Sequence, residues 1–422
     1  MATYSAGIDF GTSNSSAAVT GKNAPYLVPV EQDHLTIPTA LYFTDDGKSV
    51  FFGRAAQDCY TNEDSYGRFM RSMKRILGTS LMKSSGTQIG NRLVRFDKII
   101  EFFVKHLKEK IDMAAGTKID NAVMGRPVHF RDNDPMGDLA AEQELRQIAL
   151  NSGFKNVEFQ FEPIAAAFAH ERLIRSEKLA IVIDIGGGTS DFTIIRLSPD
   201  RIVHLDRTSD VLSNTGVRVG GNDFDKHLSL KSFMPLLGHE SELNTNNNQI
   251  IPMPGGPFLD LSTWNKVGDL YTHKFINNIK EWLYTSRSPE KLKRFQEVIV
   301  NRLGHRNLEY VENTKIRLSD TDQIEQVLDF ISDRPTVFAS RSDFESAIQL
   351  DIEKIQKSIQ ECLTQSGVKR TDINLVILTG GSTEIPHINN VMKSYFPDAE
   401  LSASDKMSSV GLGLAYDSMR RF

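Results

Sequence analysis

Residues 182–195 read VIDIGGGTSDFTII, and residues 7–19 read GIDFGTSNSSAAV. Each stretch sets an apolar run before an aspartate, then a Gly/Thr/Ser turn, then a second run of strand character. Two short apolar runs split by a glycine-rich turn predict a β-hairpin. Asp9 and Asp184 close the first strand of each, and they stand about half a chain apart. That is far longer than the period of about 20–50 residues expected of a solenoid. The echo therefore predicts two similar lobes.

Working outward, helical and strand patterns interleave. Residues 97–111 (DKIIEFFVKHLKEKI) bring Ile99, Ile100, Phe103, Val104, Leu107 and Ile111 to one helix face. Residues 138–150 predict a second helix. Residues 163–173 predict another, opened by Pro163 at a position where its missing N–H costs nothing. In 342–366 the stripe is Phe344, Ile348, Ile352, Ile355, Ile359 and Leu363, and Ser342 with Glu345 has capping-box spacing. Strands are predicted at 119–128, 179–185, 191–197, 201–206 and 374–379. This alternation places the chain in the α/β class. Residues 237–262, rich in Asn, Pro and Gly, predict a long surface loop or insertion, with helical patterns resuming at 264–283 and 289–303.

Composition narrows the functional classes. A chain of 422 residues predicts two to four domains. Its net charge of −5 argues against a nucleic-acid surface spread over the whole chain. The 2 cysteines, Cys59 and Cys362, form no CxxC or Cys/His cluster, so neither a zinc site nor a disulfide framework is expected. Their sparse use fits a reducing compartment. No stretch approaches the ~20 apolar residues of a membrane span. The first hairpin begins by residue 7, which leaves no room for a signal peptide. The expected location is cytoplasmic.

The hairpin tips carry the chemistry. Gly11 lets the backbone approach an anion closely, and successive N–H groups of such a turn, with Thr12 and Ser13, form an anion-binding concavity. Asp9 would repel a phosphate, so its natural partner is Mg²⁺ or the water around it. Gly186, Gly187, Gly188 and Thr189, between Asp184 and Asp191, repeat these elements. Each tip also reads as a plain structural turn. Neither is a Walker A loop, since no GKS or GKT follows. Glu162 before Pro163 reads as an acidic helix cap or as a site carboxylate. Lys74, in FMRSMKRILG, reads as a solvated helix face or as a site cation. Gly220 and Gly221 precede a predicted helix. Gly380, Gly381 and Ser382 join a strand to a helix, a junction that suits a nucleotide.

The order of the blocks GIDFGTSNS, MKRILG, EPIAAAFAHE, IDIGGGTSDF, VGGNDFDKHL, ENTKIRLS, LTGGSTEIPHI and SSVGLGLAY resembles the ATPase domain of the DnaK-type heat-shock chaperones. These belong to the superfamily of actin, hexokinase and the sugar kinases, and the likeness runs over residues 7–416. It implies an actin-like ATPase fold, with two lobes, each a sheet flanked by helices, and a nucleotide cleft between them. Lobe I would be 1–176, with an upper subdomain at 39–117. Lobe II would be 177–422, with an upper subdomain at 229–329 that holds the insertion near 237–262.

The resemblance also implies roles. ATP or ADP with Mg²⁺ would be the cofactor. Asp9 and Asp184, with Glu162 and Asp191, would surround the hydrated metal. Lys74 would lie near the terminal phosphate, Glu162 would help hold metal waters or the attacking water, and Thr189 would belong to the second phosphate loop. Gly11, Thr12, Ser13 and the glycines at 186–188 would hold phosphates. Gly220, Gly221, Glu312, Lys315, Ser319, Gly380, Gly381, Ser382 and Asp405 would contact the rest of the nucleotide. Two departures stand out. Ile316 and Glu384 occupy positions where the family often stacks arginines on adenine, which leaves the choice between ATP and GTP open. Glu158 replaces an arginine that the family uses with J-domain co-chaperones, so that partner is doubtful. The chain reaches Phe422 soon after the last block, so no peptide-binding domain is expected after it. The expected function is a chaperone-like ATPase that signals to a protein partner, without nucleic acid or membrane. The alternatives are a nucleotide-sensing module with little turnover and a small-molecule kinase.

Overall fold

A computed structural model describes residues 4–21, 24–61, 67–84, 86–131, 134–202, 204, 207–245, 247, 249–264, 266–402 and 409–422. The chain divides into two compact units. The first holds Met1–Val219, Ile355–Thr383 and Asn389–Phe422, and the second holds Gly220–Lys354 and Glu384–Ile388.

The first unit is built on two sheets. In one, Ser5–Phe10 and Asn14–Val19 form the antiparallel hairpin predicted from the sequence, with Asp9 opposite Ser16. Ser5–Phe10 pairs in parallel with Asn121–Arg126, which pairs in parallel with Asn156–Phe161. On the other side Asn14–Val19 pairs antiparallel with Tyr26–Leu27. In the second sheet Lys178–Ile185 and Ser190–Leu197 form the other predicted hairpin, with Asp184 opposite Asp191. Lys178–Ile185 pairs in parallel with Leu375–Thr379, which pairs in parallel with Glu400–Ser402. Ser190–Leu197 pairs antiparallel with Val211–Val217. These five strands of the first sheet and the five of the second share one order and one pattern of directions; the first sheet adds Thr36–Pro38, which also pairs with Asn14–Val19. The echo in the sequence is an echo of whole sheets.

Helices cover the apolar faces. Phe96–Ala115 buries all six residues of its predicted stripe, and Pro135–Asn151 packs beside it over the first sheet. Glu162–Glu171 and Ser409–Arg421 cross each other within a shared core that reaches Val123 of the first sheet and Ala180 and Val182 of the second. Their approach is very close. A Cβ on Gly413 would lie 1.7 Å from the Ala165 carbonyl oxygen, and one on Gly7 would lie 2.2 Å from the Ala415 nitrogen. Only bare Cα atoms permit that spacing. Among the described residues no helix is long and apolar enough to cross a membrane.

The second unit is mainly helical, with two hairpins, Glu242–Asn244 with Ile250–Pro252 and Gln323–Val327 with Thr336–Ser340. Several expectations change here and nearby. Residues 237–262 are not a loop: they carry the first of these hairpins and the helix Gly256–Leu261, anchored by buried Leu243, Met253, Phe258 and Leu261. The helical pattern at 264–283 resolves into a 3₁₀ turn, Val267–Leu270, and a helix, His273–Thr285. The strand expected at 201–206 is absent from its described residues: Pro199–Arg201 is a 3₁₀ turn, and the pairing strand is Val211–Val217. Residues 203, 205 and 206 lie outside the described residues. The helix Arg341–Ser366 buries its entire predicted stripe. Its cap is not Ser342, however. The Ser340 hydroxyl accepts from the Asp343 N–H at 3.1 Å and donates to the Asp343 carboxylate at 2.6 Å, two residues earlier than the capping-box spacing implied.

Candidate active site

Five charged side chains of the first unit, three of them from its two sheets, meet in one electrostatic cluster. Asp9 and Asp184 come from the ends of the inner hairpin strands. Asp191 lies across the pleat from Asp184. Glu162 opens the helix that follows the strand Asn156–Phe161. Lys74 sits on the 3₁₀ turn Met73–Ile76. Lys74 is not on a solvated helix face: it is buried, and its ammonium donates to Glu162 Oε1 in an ion pair.

The acids compete for one cation. Burial first, and then Glu162, push the Asp9 carboxyl well above its ordinary range, while Lys74 pulls the other way and Asp184 adds to the rise. Burial, followed by Glu162 and Asp191, pushes Asp184 up to about 8 against the pull of Lys74. Burial alone would lower the pKa of Lys74, but the carboxylates of Glu162, Asp9 and Asp184 outweigh it and hold that pKa above the lysine norm. Asp9 and Asp184 each keep an edge within reach of solvent. The cluster is thus crowded with negative charge and open to a cation.

The tips beside these acids are tight. A Cβ on Gly11 would stand 2.1 Å from the Asn14 carbonyl oxygen. Ser13 at the same tip keeps a buried hydroxyl with no hydrogen-bond partner. In the second tip the Gly186 N–H donates to the Thr189 carbonyl at 3.0 Å, and Thr189 Oγ1 is 3.4 Å from Asp191 Oδ2. Gly380 and Ser382 flank this tip. The Ser382 hydroxyl donates to the Gly186 carbonyl at 3.1 Å. Gly380 has φ +82°, and a Cβ there would lie 2.5 Å from Asp184 Oδ1. Gly381 begins the adjoining 3₁₀ turn.

Two further residues shape the cluster. A Cβ on Gly125 would meet the Glu162 side chain at 3.0 Å, and one on Gly216 would meet Asp191 Oδ1 at 2.9 Å. Both are glycines inside strands, a pattern that marks a close approach. Gly220, Gly221, Glu312, Lys315 and Ser319 belong to the second unit. There Lys315 Nζ pairs with Asp225 Oδ1 at 2.8 Å, and the Gly220 N–H donates to Asp223 Oδ2 at 3.2 Å. Asp405 lies outside the described residues.

The family model for the Hsp70 protein matches residues 5–251 and 273–417. The chain belongs to the Hsp70 family. It is therefore an α/β protein of the actin-like ATPase fold. It is 26% identical over 398 residues to the chaperone protein DnaK of Mycoplasmopsis agalactiae, covering 92% of this chain and 54% of that one. It is 24% identical over 398 residues to DnaK of Ureaplasma urealyticum, covering 92% and 53%. With DnaK of Cyanidioschyzon merolae the identity is 25% over 416 residues, covering 92% and 57%. This Hsp70 chain thus spans about half the length of the curated relatives it matches.

The residues fit magnesium and a phosphate chain. Two solvent-reachable carboxyl groups, Asp9 and Asp184, whose pKa values are raised by burial first and then by like charge, would supply hard oxygen donors for Mg²⁺. Among the described residues no three His, Cys, Asp or Glu side chains are placed to hold a metal ion together. The unpartnered Ser13 hydroxyl and the bare loop backbones suit phosphate oxygens.

Proposed function

We propose that this chain binds ATP and ADP with Mg²⁺ at the paired hairpin tips and hydrolyses ATP there. The observation that carries the reading is the convergence of Asp9 and Asp184, from equivalent positions of two equivalent sheets, on the buried Lys74–Glu162 pair. Gly11, Thr12, Ser13 and the glycines at 186–188 cradle the phosphates. Asp9 and Asp184, helped by Glu162 and Asp191, hold the hydrated ion. Bound Mg²⁺ would supply charge neutralisation on the phosphate oxygens. Lys74 offsets charge that develops on the transferred group, Glu162 orients the attacking water, and Thr189 serves with the second phosphate loop. Gly220, Gly221, Glu312, Lys315, Ser319, Gly380, Gly381, Ser382 and Asp405 serve the remainder of the nucleotide.

The twin sheets correspond to lobes at 1–176 and 177–422 that close on ATP and relax after hydrolysis, and a protein partner reads that change. The name chaperone carried by the DnaK relatives supports a protein partner and leaves its identity open. A second reading, nucleotide sensing with little turnover, is favoured by Ile316, which is 55% exposed and aliphatic on the helix that carries Glu312 and Lys315. The test compares binding of ATP, GTP and ADP by calorimetry with phosphate release, in wild type and Lys74→Ala. Release that depends on Mg²⁺ and is lost in the variant supports hydrolysis. Binding without release favours the second reading, and no binding rejects both.

A further inference from the structure

Lys74 and its neighbour Arg75 point in different directions. They ride on a 3₁₀ turn, in which successive side chains diverge by about 120°. Ser72, which precedes the turn, holds φ 57° and ψ 33°, a left-handed conformation that is costly for serine and fixes the direction of entry. From that start Lys74 turns inward to Glu162, and Arg75 turns outward and is exposed. The Arg75 guanidinium lies along the backbone of the second glycine tip. Its carbon is 3.5 Å from where a Gly188 Cβ would sit, with Nε and Nη1 at 3.7 Å. Among the described residues its side chain makes no hydrogen bond or ion pair.

Charge decides what this cation is for. Asp9, Glu162, Asp184 and Asp191 place four carboxylates against one ammonium, and that ammonium is already committed to Glu162. A phosphate chain entering beside the second tip meets several acidic groups and finds the one ammonium already paired. Even with a divalent ion present, the outermost phosphate, which carries the most charge, needs a further donor. Arg75 stands at the glycine tip with its donors uncommitted. A guanidinium can grip two phosphate oxygens at once, which an ammonium cannot.

We propose that Arg75 contacts the terminal phosphate of the nucleotide and makes the site prefer a triphosphate over a diphosphate. The inference rests on the nucleotide reading above.

The experiment measures equilibrium dissociation constants for a non-hydrolysable ATP analogue and for ADP, both with Mg²⁺, by calorimetry. Wild type, Arg75→Ala and Arg75→Lys are compared, and thermal melting checks each fold. Loss of a charge-assisted contact is expected to weaken the triphosphate by about tenfold to a hundredfold in Arg75→Ala. ADP should change by less than about threefold. Arg75→Lys should fall between, since it keeps the charge and loses the two-pronged grip. Inorganic phosphate added to ADP-loaded protein should bind wild type more tightly than Arg75→Ala. An unchanged ratio of triphosphate to ADP affinity in Arg75→Ala, with wild type binding both, overturns the inference and leaves the nucleotide reading standing. Failure of wild type to bind either nucleotide overturns both.

Discussion

The crowding of acids around Lys74 makes a thermodynamic claim that Asp184→Asn can test. The Asp184 carboxyl ionises near pH 4 in an unfolded chain and is pushed up to about 8 in the folded one, by burial first and then by Glu162 and Asp191. Between those values the native state holds a proton that the unfolded state has released. Stability therefore falls as pH rises, because the unfolded state binds fewer protons. The contribution is fully present below pH 4 and is lost by the time pH passes 8. A gap of about four pKa units corresponds to roughly 5–6 kcal/mol. The solvent-reachable edge of the carboxylate lowers the working expectation to about 2–4 kcal/mol. Asparagine keeps the shape and cannot ionise, so the variant should escape this loss. In a chelating buffer without nucleotide, the two stability curves should converge as pH falls toward 4. Near pH 8.5 Asp184→Asn should be the more stable, by roughly 2–5 °C in Tm at about 1 °C per kcal/mol for a chain of this length. A shallower slope should remain from Asp9, whose carboxyl is also raised by burial and by Glu162. The measurement is Tm against pH by calorimetry. Parallel curves for the two proteins, or a variant that is less stable at pH 8.5, would refute the electrostatic reasoning.

Lys74→Ala strands Glu162 in a buried site and should cost about 3–5 kcal/mol at pH 8, measured by urea unfolding. The cost should shrink near pH 5, where the neighbouring acids take up protons. The same variant should lose about 10²–10³ in phosphate release while keeping most of its nucleotide affinity, because the loop N–H groups remain. Gly380→Ala places a Cβ 2.4 Å from the Ile185 carbonyl oxygen at a left-handed φ, so its melting point should fall and its nucleotide affinity should weaken with it. Gly413→Ala forces apart the helices Glu162–Glu171 and Ser409–Arg421 and should destabilise the protein by more than about 3 kcal/mol, read as a loss of soluble yield or of Tm.

What the sequence disclosed and what it withheld divide along a physical line. Local patterns were legible: the period of two beside glycine tips gave both hairpins, and the period of 3.6 gave the buried stripe from Phe344 to Leu363. In residues 237–262 the Asn, Pro and Gly that suggested a loop masked four apolar anchors, because composition averages over the few positions that set burial. The Ser340 cap was hidden by a second serine two positions on, with equally good spacing. The fate of Lys74 was illegible for a deeper reason. A lysine in a short basic stretch looks the same whether water or Glu162 takes its charge, and Glu162 lies 88 positions away. Gly125 and Gly216 did leave a trace, as isolated glycines within strands, but that trace marks only a close approach and does not name what approaches. The identity of the neighbour, a Glu162 side chain or an Asp191 carboxylate, is set by the pairing of strands far apart in the chain. The chemistry of this site resides in how the chain is brought together: Asp184 is ordinary in its own strand and holds its proton so strongly because folding first buries it and then sets Glu162 and its hairpin neighbour Asp191 against it.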